Sequence, residues 1–147
     1  MGTVRSRLSQ ARAKLSEALL ATSASAHDDI HALTRASRAE AVETLAAAER
    51  GEFREVLEER WSPDVRLLGG RGEQGGRMTL LRGWECDMEA GVRQHFADAV
   101  TSRDITIWEM DMSNPPDDPK HCPPSVIWLM TYKEGMVHRL RLFHPAT

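Results

Sequence analysis

Apolar residues along this chain change their spacing several times, and each change predicts an element boundary. In residues 3–20, Val4, Leu8, Ala11, Leu15, Ala18 and Leu19 form one stripe at helical period, with Arg5, Arg7, Arg12 and Lys14 on the remaining faces. Residues 21–26 (ATSASA) are small, polar and aperiodic, which predicts a linker or helix break. Asp28 or Asp29 can cap the helix that follows, and Ile30, Leu33 and Val42 mark its buried side. Residues 29–50 read either as one helix or as two that meet near Ser37. Ala39, Val42, Leu45 and Ala46 keep the period, Gly51 stops it, and Phe53, Val56, Leu57 and Trp61 restart it as a second helix. Ser62, Pro63 and Asp64 end that helix, and a strand begins over residues 65–68.

Residues 71–77 (RGEQGGR) read as a mobile hairpin tip, with residues 78–81 returning as a short second strand. The glycine spacing fits no phosphate loop. Met88, Val92, Phe96 and Val100 predict a third helix over residues 85–100, and three strands follow at 105–112, 126–132 and 136–144. A tight turn at Lys133, Glu134 and Gly135 joins the last two. Pro115, Pro116, Pro119, Pro123 and Pro124 cannot donate ladder hydrogen bonds, so the loop at 114–124 lies outside the sheet. The order predicts an α+β domain: three helices packed on a curved, mainly antiparallel sheet, plus an extra N-terminal helix.

Composition narrows the function classes. A chain of 147 residues with 41% hydrophobic content supports one core. A formal net charge of -3 with mixed signs argues against nucleic-acid binding through an overall basic surface. Cys86 and Cys122 form no CxxC pair, so neither a disulfide framework nor structural zinc is expected, and a reducing cytoplasm fits. No window approaches the roughly 20 apolar residues of a membrane span. No cofactor and no metal site is predicted; His121 and Cys122 lack further ligands at suitable spacing.

Alternation divides the late strands into faces. Trp108 and Met110, with Trp128, Met130 and Tyr132 of the next strand, are candidates to line a pocket. In the last strand His138, Leu140, Leu142 and His144 share the face assigned to the concave side, with Val137, Arg139, Arg141 and Phe143 opposite. The lining reading is favoured, with a filled core as the alternative that such residues at strand spacing also suit. His138 and His144 are the candidate acid-base groups, with Tyr132, Asp111 or Glu109 as partners. His27, His31 and His95 are read as surface residues on helices.

Two resemblances follow from these residues. The stretch at residues 39–70, helix, turn, helix and strand, resembles the opening of the nuclear transport factor 2-like fold in its SnoaL-like branch, and the full element order matches that fold over about residues 38–145. The resemblance implies a cone around an apolar pocket for a small apolar or aromatic molecule, a homodimer paired through the outer sheet face, and, in the enzymes, cofactor-free cyclisation, isomerisation or hydration. The family's acid-base aspartate falls at Trp128, which cannot shuttle a proton. The phrase at residues 2–20, GTVRSRLSQARAKLSEALL, resembles the last helix of region 4 in extracytoplasmic-function sigma factors. It implies a division into a recognition-helix remnant (1–20), a linker and helix start (21–37) and a SnoaL-like domain (38–147). Arg5, Arg7, Arg12 and Lys14 would then touch DNA only in a longer parent, where sigma regions or RNA polymerase would be partners; this chain alone is expected not to bind DNA. The alternative is a free-standing biosynthetic enzyme.

Overall fold

The computed structural model describes residues 4–69 and 72–144, with Arg5 and residues 23–28 described by their backbone alone. Gly2, Thr3, Arg71 and Pro145, which figure in the expectations above, lie outside the described residues. Helix α1 (Val4–Glu49) is followed by α2 (Phe53–Arg60), β1 (Trp61–Gly69), β2 (Gly72–Gly75), α3 (Arg77–Glu89), β3 (Arg93–Thr101), β4 (Ile105–Ser113), β5 (Ser125–Lys133) and β6 (Met136–Phe143). The strands form one curved sheet in the order β2-β1-β6-β5-β4-β3, antiparallel throughout except for the β1–β6 pair.

The linker expected at residues 21–26 is helical, and neither Asp28 nor Asp29 begins a helix. That segment contains no glycine or proline, and Thr22 satisfies its hydroxyl inside the helix by donating to the Ala18 carbonyl at 2.7 Å. The helix is continuous at Ser37 as well, which is buried and accepts a 2.8 Å hydrogen bond from Trp108 Nε1. Gly51 does stop it, at φ +83, a left-handed conformation that suits glycine. α1 buries Ala41, Thr44, Leu45, Ala47 and Ala48 and packs along β3.

Three further expectations are corrected. Residues 78–81 are the first turns of α3, not a strand; β2 pairs back on β1 through the glycine-rich segment instead. The third helix ends at Glu89, so Phe96 and Val100 belong to a strand, as does His95, which was read as helical, and Val92 lies just before that strand. A spacing of four residues satisfies both periods, and Gly91 at φ +86 separates the two elements. β1 begins at Trp61, with Pro63 in the interval where the β1–β6 pairing is irregular.

The inner faces of β4 and β5 follow alternation: Thr106, Trp108 and Met110 are buried, as are Val126, Trp128 and Met130. β6 departs from it. Tyr132 pairs with Val137 but Thr131 with Arg139, so His138 is an extra residue in a bulge. Val137, assigned to the outer face, is therefore buried at 1% exposure, and the inner set resumes with Leu140.

Candidate functional site

A cavity of about 340 Å3 lies between α3 and the inner face of the sheet. On α3, Leu80, Gly83, Trp84 and Asp87 fall at i, i+3, i+4 and i+7, and all four border the space. Gly83 is exposed, and a side chain there would meet nothing within 4 Å, so the cavity is open along this part of α3. The sheet contributes Leu67, Gln94, Met112, Val126, Trp128 and Leu142, with His144 just beyond β6.

The proline-rich loop supplies Cys122 and Pro123 to one edge. Its shape is held by Asn114, whose Nδ2 donates to the carbonyls of Pro119 (3.2 Å) and Cys122 (2.9 Å), while its Oδ1 accepts from the Cys122 amide (3.0 Å). The Met112 amide donates to the Pro124 carbonyl at 2.8 Å, continuing the β4–β5 pairing into the loop. Loop residues also line an open cleft of about 820 Å3 that shares Met112, Cys122 and Pro123 with the cavity.

Asp87 is the carboxylate of this cavity. Burial pushes its pKa above the ordinary aspartate value, against the opposing pull of His121 and His144. Burial, followed by the nearby charges of Asp87 and Asp118, raises the Cys122 thiol, so it remains protonated at neutral pH. His121 Nδ1 lies 3.0 Å from Asp118 Oδ2. The set Asp87 and His144 can give and take protons at the cavity wall.

Of the residues selected from sequence, His144, Trp128 and Leu142 border this cavity. Trp108, Met110, Met130 and Leu140 are at most 1% exposed and lie in the packed core, where Trp128 stacks on Trp108 and meets Trp61 edge-on, each at 6.1 Å between centroids. His138 sits in the β6 bulge, and Glu109 and Asp111 are exposed on the opposite face of β4. Tyr132 belongs to a separate polar cluster. Its pKa is pushed up to about 12, by burial first and then by Glu40, against a hydrogen bond with Thr106 and the charge of Arg60. Glu40 is itself raised by burial, opposed by Arg60. Arg7, Arg12 and Lys14 are exposed on α1, while the Arg5 side chain lies outside the described residues.

Asp87 was missed from sequence. Its signal was the helical offset from Leu80 and Trp84, hidden once residues 78–81 were read as a strand.

No family model matches the sequence, and no curated protein matches it significantly. Solved structures do match. AclR from Streptomyces galilaeus, provisionally described as a hydroxylase, is 14% identical, with a TM-score of 0.59 over 75% of this chain and 90% of its own. The fold is nuclear transport factor 2-like. An NTF2-like protein of unknown function from Burkholderia pseudomallei gives a TM-score of 0.58 at 13% identity, covering 74% of this chain and 90% of the other. A SnoaL-like protein from Jannaschia, provisionally described as a polyketide cyclase, gives 0.57 at 15% identity, covering 72% and 83%. Within this nuclear transport factor 2-like domain, the cavity is the hollow enclosed by α3 and the curled sheet. Among the described residues, no helix is long and apolar enough to cross a membrane.

Proposed function

We propose that the cone binds a small, largely apolar molecule, and that the domain is a ligand-responsive module at the C-terminal end of an extracytoplasmic-function sigma factor, tuning transcription initiation. The cavity beside Gly83 and Trp128 carries the binding half of this reading. The regulatory half is supported by α1: one helix carries the sigma-like phrase at residues 4–20 and the Ser37 hydroxyl that accepts from Trp108 in the core. The division into residues 1–20, 21–37 and 38–147 is kept as part of this proposal, with the middle segment a helical connector rather than a loose one.

Two experiments test it. Native mass spectrometry of the purified chain should find a bound organic molecule whose occupancy falls in Gly83→Leu, which adds bulk at the border of the hollow; an unliganded wild type overturns the binding reading, and equal occupancy in the variant overturns the placing of the ligand beside α3. Transcription by the longer parent should change severalfold when residues 38–147 are removed, while the chain alone shifts no promoter DNA at physiological salt. Unchanged initiation would refute the regulatory role.

A second reading is a cofactor-independent enzyme, favoured by the carboxyl of Asp87 and the imidazole of His144 bordering one cavity. In it the two serve as acid and base, and Asp87→Asn and His144→Ala each abolish turnover with the fold intact. Activity retained in both removes them from the chemistry.

A further inference from the structure

Three polar side-chain atoms are buried with no hydrogen-bond partner among the described residues: Trp84 Nε1, Trp128 Nε1 and Gln94 Oε1. All three residues border the same 340 Å3 cavity. Their coincidence there contrasts with Trp108, equally buried but away from the cavity, whose indole is satisfied by Ser37. Buried polar groups are normally paired, and an indole nitrogen can only donate. The remaining wall is apolar at Leu67, Leu80, Met112, Val126 and Leu142 and polar at Gln74, Thr79, Asp87, Cys122 and His144, so an apolar ring and a few polar substituents both find a surface there.

We infer that Trp84, Trp128 and Gln94 select the ligand by its oxygen pattern: a neutral, otherwise apolar ring compound with a carbonyl oxygen to accept from an indole and a hydroxyl to donate to Gln94. An anionic ligand would also accept from indoles, but Asp87 stands on the same wall, and the imidazole of His144 is the one basic side chain that borders the cavity among the described residues, which favours a neutral ligand. This inference rests on the cone being a small-molecule site.

The test uses three probes of similar size: 4-hydroxyacetophenone, acetophenone and ethylbenzene. Affinities are measured by calorimetry, and the indole N–H signals are followed by NMR. Acetophenone should bind about tenfold more tightly than ethylbenzene, and the hydroxylated probe about tenfold more tightly again, one net hydrogen bond per step. The Trp84 or Trp128 indole proton should move downfield with the two ketones only. Trp84→Phe and Trp128→Phe keep a ring but lose the donor, and between them should abolish the ketone preference; Gln94→Leu should abolish the hydroxyl preference alone. If a tryptophan variant fails to fold, the wild-type ranking and indole shifts still decide. Equal affinities for all three probes overturn the inference while leaving the cone a binding site, its polar atoms served by water. Binding of none overturns both.

Discussion

Asp87 is held in the folded protein with a pKa above its ordinary value, chiefly because burial disfavours the carboxylate. The folded state therefore takes up a proton more readily than the unfolded chain, and stability falls as pH rises through that window. Asp87→Asn should raise the melting temperature at pH 7, and the gain should vanish below the ordinary aspartate pKa of about 4; thermal melts from pH 3 to 8 check both. Gly83 has a similar cost. A glycine inside a helix is worth roughly 1 kcal/mol less than alanine, and a methyl group here meets no neighbour. Gly83→Ala should stabilise by about 0.5–1 kcal/mol in denaturant titrations. Ser37→Ala should do the reverse, leaving the Trp108 indole unpaired at a cost of about 1–3 kcal/mol. Alternation alone identified which residues of β4 and β5 face inward. It could not separate Trp128 and Leu142 at the cavity from Met110 and Met130 in the solid core, because both sets are apolar and share one face.

At the level of elements, strands β4 and β5 were legible because each alternates over nine residues, and β6 because it alternates beyond His138 and follows a strong turn signal. β3 was not, since Val92, Phe96 and Val100 recur every four residues, and its bulge between Phe96 and Asp98 removes the alternation that would have exposed the error. In the same way, the inserted His138 moves Val137 inward, and no composition rule announces a bulge. The β5–β6 turn was read correctly and carries a local strain: Glu134 sits at φ 53 beside Gly135 at φ 78. Asparagine tolerates that conformation better, so Glu134→Asn should stabilise by about 0.5–1 kcal/mol, measurable by urea unfolding.

For the molecule as a whole, two exposed surfaces remain. Outward-facing Ile127 and Leu129 are half-buried, and Phe143 is 41% exposed on the same face. As a proposal, this face pairs with a second copy. Sedimentation should then give twice the 16.5 kDa of one chain, and Leu129→Lys should return it to one; a monomeric wild type ends the idea. The other surface is the leading part of α1, where Val4, Leu15, Leu19 and Leu20 are 61–79% exposed. At 1.5 Å of rise per residue, Val4 stands about 50 Å along the axis from Ser37, so a tilt of about 5° at that anchor carries the distant tip through about 4 Å. Any tilt of α1 about the contact between Ser37 and Trp108 is thus magnified along the exposed length of the helix, in proportion to the distance from that fulcrum.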